Sequence, residues 1–256
     1  ILKPGQAMRI MTGAPIPEGA NAVLMQEDTD KEGSFILAKD RADVEENIRK
    51  AGEDVQKGET VIKKGVTLSP AHIGMMAVVG RSQVAVGQRP TVSILSTGDE
   101  ILELDQKPEG PQIYNSNGHM LAAQIRSAGG LPIYLGIAKD TEKDLMEKFE
   151  SALKADIVVS SGGVSVGDYD LVKASLQKMG QEMLFWKVAM KPGKPLAFGR
   201  IGETPIFGLP GNPVSSFVSF EQFVRPSLKK VMGCADLQHQ TVQAKLTRTI
   251  HKKPGR

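Results

Sequence analysis

Residues 156–170 read Asp156-Ile157-Val158-Val159-Ser160-Ser161-Gly162-Gly163-Val164-Ser165-Val166-Gly167-Asp168-Tyr169-Asp170. A short, fully apolar strand over 156–160 passes into a glycine-rich loop. The loop opens a helix expected over 168–179, which Gly180 closes. A strand with no polar face has no solvated side, so it belongs inside a sheet covered on both faces. The same alternation extends in both directions. Upstream come a strand at 91–96, a helix at 116–128 ended by Gly129-Gly130, a strand at 131–137 and a helix at 141–154. Downstream come strands at 184–190, 195–199 and 205–209, then a long helix at 214–232 ended by Gly233. Apolar strands interleaved with helices predict an α/β domain over 91–235 with a parallel sheet.

The flanks have a different texture. Residues 1–66 hold short apolar runs at 7–11, 22–25, 34–37 and 60–62, punctuated by Gly13, Pro15, Pro17, Gly19, Gly58 and Gly65. This pattern predicts a small β-rich domain. Ser69-Pro70 is a helix start, with Ser as cap and Pro at the first helical position, so 67–90 reads as a helical linker. Residues 236–256 alternate at Val242, Ala244, Leu246 and Ile250 and read as the opening of a further β-domain. The chain has 256 residues, about 1.7 domains at roughly 150 residues each. Ile1 is not an initiator Met, and both ends read as cuts through a longer protein.

Composition narrows the function. The net charge is +3, and the last 21 residues, with five basic and one acidic side chain, carry more than all of it. Aromatics are 5%, so a basic stacking platform for nucleic acid is not expected. No apolar run approaches the ~20 residues of a membrane helix. The single Cys234 rules out an internal disulfide and a cysteine-only zinc site, and a cytoplasmic setting is expected. His72, His119, His239 and His251 lie far apart without ligand spacing. No elbow of the Gly-x-Ser-x-Gly type is present, so covalent catalysis is not expected.

In a doubly wound sheet, ligands bind beyond the carboxyl ends of the strands. Five loops lie there. They are Ser96-Thr97-Gly98-Asp99-Glu100, the turn at Lys139-Asp140-Thr141, the glycine loop 160–170, the segment from Lys187 to Lys194, and Gly208-Leu209-Pro210-Gly211-Asn212-Pro213. The glycine loop and the fifth loop each lead from a strand into a helix, where backbone N–H groups converge on an anion. A bare turn of this kind also serves as a plain tight connection, and it matches neither the dinucleotide fingerprint nor the Walker motif. Lys187, Lys191 and Lys194 suit phosphate or an oxyanion as point charges, with Pro192, Gly193 and Pro195 stiffening the turn; a solvated turn is the plainer alternative. Asp99, Glu100, Asp140, Asp168 and Asp170 gather carboxylates at one edge. Singly each reads as a cap or surface charge, and together they suit a hard cation such as Mg²⁺ with substrate phosphates.

Six motifs in order resemble the MoeA/gephyrin E-domain family, the molybdopterin molybdenumtransferases. They are Met8-Arg9-Ile10-Met11-Thr12-Gly13-Ala14-Pro15, Gly52-Glu53-Asp54, Ser96 to Glu100, Ser161 to Gly167, Lys191 to Pro195 and Gly208 to Pro213. The resemblance covers residues 1 to about 233. It implies a three-layer α/β/α, MogA-like molybdopterin-binding domain flanked by β-rich domains. It also implies a cytoplasmic, homodimeric transferase that converts adenylylated molybdopterin and molybdate into molybdenum cofactor and AMP with Mg²⁺, in contact with the adenylyltransferase of the preceding step. By motif, Glu100, Asp140, Asp170 and Asp54 would be catalytic. Asp99, Glu100, Asp168 and Asp170 would hold the metal. Thr97, Gly98, Asp99, Ser161, Gly162, Gly163, Ser165, Gly167, Lys187, Lys191, Lys194, Pro210, Gly211, Asn212 and Pro213 would bind substrate. Where many relatives keep one carboxylate, Asp168-Tyr169-Asp170 offers two, and spacing favours Asp170. The alternatives are a molybdopterin adenylyltransferase, which residues 1–66 argue against, and a gephyrin-like scaffold without activity.

Overall fold

Thr29–Glu32 (β1) and Phe35–Ala38 (β2) form an antiparallel hairpin, with Glu32 opposite Phe35. Gly33 supplies the φ of 62° that the two-residue turn needs. This hairpin belongs to the first of two compact units, Ile1–Val61 and Ile62–Arg256, in a computed structural model that describes residues 1–163 and 171–251. The expected strands at 7–11, 22–25 and 60–62 do not form. Residues 34–37 largely do, and β1 adds a partner that the alternation did not single out. A short apolar run becomes a strand only where a ladder partner takes up its backbone groups. No side chain of 1–61 is fully buried, and backbone bonds such as Val23 N–H to the Glu46 carbonyl and Glu45 N–H to the Asn21 carbonyl join its segments, with carboxylates adding local bonds. Glu46, Glu53 and Glu59 each accept the N–H three residues upstream, from Asp43, Lys50 and Gln56 at 2.7, 3.0 and 3.1 Å.

The second unit opens with Pro70–Val78 (α1), entered through Ser69, whose N–H donates to His72 Nδ1 at 3.0 Å. Its sheet is built from Thr91–Thr97 (β3), Leu131–Ala138 (β6), Ile157–Ser161 (β7), Glu182–Lys187 (β8), Pro195–Ile201 (β9) and Thr204–Leu209 (β10). A separate two-stranded piece pairs Ile101–Leu102 (β4) with Ile113–Tyr114 (β5). The main order is β6-β3-β7-β10-β9-β8. The first four strands are parallel, but β9 runs antiparallel to both β10 and β8. The all-parallel expectation is corrected here. Only Gly202 and Glu203 separate β9 from β10, and two residues can close a hairpin but cannot make a parallel crossover.

Helices cover both faces. Ser116–Ala128 (α2) and the helix over 213–231 pack on one side, and Glu142–Ala152 (α3) and Leu171–Lys178 (α4) on the other. The strand alternation assigns the faces. Ile157 and Val159 join Val92, Leu121, Ile125 and Phe220, while Val158 joins Leu95, Leu145, Phe149 and Ile206. The expected long helix at 214–232 is present but not uniform. Pro213–Ser219 (α5) and Arg225–Val231 (α6) flank a π turn at Phe220–Val224. Pro226 has no N–H to offer an α-helical carbonyl, and the wider turn, with Arg225 N–H on the Phe220 carbonyl, absorbs the break. The described residues 236–251 form no strand, and the expected alternation there finds no ladder. Among the described residues no helix is long and apolar enough to cross a membrane.

Phe149 and Leu121 are fully buried on opposite faces. Phe149→Ala is expected to lower the unfolding free energy by about 3–5 kcal/mol and Leu121→Ala by about 2–5 kcal/mol, read from urea unfolding of each variant.

Candidate active site

Strand register sets the site. Ser161 lies opposite both Ser96 and Leu209, and Thr97 lies opposite Ala138, so four parallel strands end nearly level. Because β8 and β9 are antiparallel and Lys187 pairs with Pro195, the turn between them emerges at this same edge. A cleft of about 400 Å³ opens there. Thr97, Gly98 and Glu100 line it from the β3 loop, Asp140 from the β6 loop, and Gly162 and Gly163 from the β7 loop. Pro195, Pro210, Gly211, Asn212 and Ser215 complete the wall.

The two glycines after β7 are demanded by packing. Gly162 has φ of 90°, and a Cβ there would lie 2.5 Å from the Thr97 carbonyl oxygen. At Gly163, with φ of 63°, it would lie 2.3 Å from Val172 Cγ2 in α4. Gly162 N–H donates to the Leu209 carbonyl at 3.1 Å, so the loops after β7 and β10 are tied together. Asn212 caps α5 by accepting the Ser215 N–H at 3.2 Å, and Pro213 takes the first helical position. Thr97 is 3% exposed, and its hydroxyl has no hydrogen-bond partner among the described residues.

The acidic side is equally specific. The Asp140 N–H donates to Asp99 Oδ1 at 3.1 Å, which links the β3 and β6 loops. Thr141, not Asp140, caps α3 by accepting the Asp144 N–H, so the Asp140 carboxyl is released from capping. Burial raises its pKa above the ordinary carboxylate value, Asp99 raises it further, the backbone bond to Asp99 opposes this, and Glu100 adds to the rise. Among the described residues no three side chains form a ready-made metal cluster. Mg²⁺ commonly takes one or two carboxylates and completes its shell with water and substrate phosphates, a need that the adjacent carboxylates Asp99 and Glu100 on the β3 loop suit.

Several expected residues stand elsewhere. Lys187, Lys191 and Lys194 are exposed, do not line the cleft, and form no ion pair among the described residues. Asp54 lies in the Ile1–Val61 unit, paired with Arg49. Ser161 ends β7 with its hydroxyl accepting from Asn117 Nδ2 at 2.8 Å. Ser165, Gly167, Asp168 and Asp170 lie outside the described residues. Sequence reasoning missed Asn115 and Asn117. Asn115 accepts from Ser96 Oγ at 2.9 Å and from Gly118 N–H at 3.0 Å, and donates to the Tyr134 hydroxyl at 2.6 Å. The Tyr134 hydroxyl in turn donates to Glu103 Oε1 at 2.7 Å. The available signal was polar residues at the buried start of a mainly apolar helix stripe.

A three-layer domain with glycine loops and carboxylates at the carboxyl edge of its sheet belongs to the class of α/β proteins whose ligands bind at strand ends. Residues 93–230 match the family described as a probable molybdopterin binding domain, and residues 1–80 match the MoeA N-terminal region, domains I and II. The chain belongs to the MoeA/gephyrin E-domain family. A molybdopterin molybdenumtransferase of Haemophilus influenzae is 43% identical over 229 residues, covering 89% of this chain and 56% of the relative. A protein of the same name from Bacillus subtilis is 42% identical over 233 residues, covering 89% of this chain and 54% of the relative. The crystal structure of the molybdopterin biosynthesis MoeA protein from Pyrococcus horikoshii OT3 superposes with TM-score 0.75 at 34% identity, covering 92% of this chain and 57% of that one. The chain thus spans little more than half the length of these relatives.

The raised Asp140 pKa carries a sign. The folded chain holds this proton more tightly than the unfolded chain, so stability is lost as pH rises from the ordinary value of 3.8 through the raised one. Asp140→Asn is expected to melt at or above the parent's temperature at neutral pH, with the advantage gone below pH 3.8, as followed by thermal scans across pH. Gly163→Ala, forced into both a positive φ and the Val172 side chain, is expected to cost about 1–3 kcal/mol by the same scans.

Proposed function

We propose that the protein of which this chain is part acts as a molybdopterin molybdenumtransferase, taking adenylylated molybdopterin and molybdate to molybdenum cofactor and AMP. The observation that carries the reading is the juxtaposition, in one cleft, of two glycine loops with Asp140 and Glu100. The reaction needs both halves. A water oxygen bonds to one phosphorus of the phosphoanhydride, the bridging P–O bond breaks, and AMP leaves while its partner phosphate stays on the pterin. Backbone N–H groups in glycine loops suit the phosphates and the tetrahedral molybdate dianion, and their fixed dipoles stabilise charge that develops on phosphate oxygens.

On the acidic side, Asp140 is the side chain suited to take the proton of the attacking water, since a carboxyl with a raised pKa exchanges protons nearer neutral pH. Its burial keeps the pKa raised, and the charges of Asp99 and Glu100 add to that. Mg²⁺ held by Asp99 and Glu100, with water and substrate oxygens completing its shell, would neutralise phosphate charge and leave Asp140 for the proton. Lys187, Lys191 and Lys194, on a turn at the same edge, supply positive charge that steers the anionic substrate and molybdate toward the cleft. We further read the working form as a cytoplasmic homodimer that receives its substrate from the adenylyltransferase, with Asp54 serving the reaction from the Ile1–Val61 unit.

The test uses the full-length protein with adenylylated molybdopterin, molybdate and Mg²⁺, following AMP release and reconstitution of a molybdenum-free apoenzyme. Glu100→Gln and Asp140→Asn are each expected to lower the rate about 10²–10⁴-fold, and chelation of Mg²⁺ to abolish it. Lys191→Ala is expected to raise the KM for molybdate without comparable loss of kcat. Unchanged rates in both carboxylate variants, or synthesis of adenylylated molybdopterin from Mg-ATP and molybdopterin in place of its consumption, would overturn the reading.

A further inference from the structure

The buried stripe of α2 runs through Asn117, Leu121, Gln124, Ile125 and Ala128. Two polar residues interrupt its apolar run, Asn117 at its first position and Gln124, each only 8% exposed. Asn117 Nδ2 donates to Ser161 Oγ at 2.8 Å and to the Gly211 carbonyl at 2.8 Å. The Gly211 carbonyl can only accept, so the amide orientation is dictated: nitrogen faces the loops. The cost is Asn117 Oδ1, which is buried without a partner among the described residues. Gln124 Oε1 in the same stripe is also unpartnered among the described residues, but of the two side chains only Asn117 bonds to both loops at the cleft.

We propose that Asn117 is the positioning residue of the cleft. By holding Ser161 and Gly211 at once, its amide sets the separation of the two glycine loops that bracket the phosphates of the ligand. This rests on the function proposed above. Ser161 is the last residue of β7, immediately before Gly162, and Gly211 sits in the loop that leads to α5. A Cβ built on Gly211 would lie 3.8 Å from Gly162 Cα, so the loops face each other across a narrow gap. The Gly162 to Leu209 backbone bond closes the gap on the strand side. Asn117 fixes it on the helix side, where nothing else among the described residues spans both loops. Its own footing is firm, because Gln124 further along α2 donates to Glu221 Oε1 at 2.8 Å beside α5. Serine is too short to reach both acceptors, and aspartate, equal in shape, would set an oxygen against the Gly211 carbonyl.

The test compares Asn117→Asp, Asn117→Ser and Ser161→Ala in the full-length protein with adenylylated molybdopterin as substrate. Asn117→Asp is expected to raise KM about tenfold, with kcat changed by less than about threefold, because the acidic loop is untouched. Ser161→Ala removes one of the two bonds without altering α2 and is expected to raise KM by a smaller factor. Combined with Asn117→Ser it is expected to add less than its separate effect. If Asn117→Asp does not fold, the other two variants decide. A KM that stays put in the folded variants overturns the proposal, whatever happens to kcat or melting temperature. Amide hydrogen exchange at Gly162, Gly163 and Gly211 gives a readout independent of activity. Faster exchange there in Asn117→Ser, with α2 unchanged, supports the clamp, and unchanged exchange overturns it. Should the unaltered protein fail to consume the substrate, the functional reading falls while the exchange data still decide the role of Asn117.

Discussion

Everything at the carboxyl edge of the sheet depends on how closely the chain after β7 passes the end of β3. With Thr97 carbonyl oxygen 2.5 Å from where a Gly162 Cβ would stand, no side chain can intervene, and the backbone leaves the sheet directly over its neighbour. That approach turns the Gly162 N–H toward Leu209 and brings Gly211 opposite. It also encloses the Thr97 hydroxyl. A substituted residue would push the β7 loop away from β3, and the same movement would break the tie to β10. The cleft therefore has one backbone constraint at its root, with side chains arranged around it.

The opposing wall is organised by charge. Asp99, Glu100 and Asp140 meet on two loops, and a backbone N–H bonded to a carboxylate, Asp140 to Asp99, ties the loops together. Asp140, partly buried and facing the charges of Asp99 and Glu100, holds its proton more tightly. Thr141 makes this arrangement available by taking over the helix cap. The Ser96–Asn115–Tyr134–Glu103 chain of hydrogen bonds then anchors the long loop that carries Asp99 and Glu100 onto the sheet. An edge built this way is held by the scaffold against its own electrostatics, and a cationic or proton-donating ligand lowers that cost.

The sheet, its covering helices and the positions of the five loops were legible because apolar runs and glycine stops carry the needed information over distances of a few residues. Ile157-Val158-Val159 could only be an interior strand, and its two faces divide the core as alternation requires. Strand direction at the far edge was also written in the sequence, in the two-residue spacing at Gly202-Glu203, but a parallel expectation overrode it. What could not be read were contacts between residues far apart in the chain. Asn117 reaches partners 44 and 94 residues away, and no local pattern announces them. The apolar runs of 1–61 misled for the opposite reason: strand formation is decided by a partner, and the pattern of one run says nothing about its partner.

The helix over 213–231 shows how a defect in one place protects precision in another. An unbroken α-helix through Pro226 would lose a hydrogen bond and drive the proline ring into the preceding turn. A kink at that point would pull either Phe220 and Val224 from the core or Asn212 from the cleft. The π turn adds one residue to the coil and so keeps Phe220, Val224 and Leu228 all fully buried on the sheet. Within it, Glu221 pairs with Arg225 at 3.2 Å and accepts from Gln124, which fastens this helix to α2. The two helices that begin at the cleft, through Asn212 and Asn115, are thereby fixed to each other two turns deeper. The geometry of the loops above them is set from below by packing that never touches a ligand.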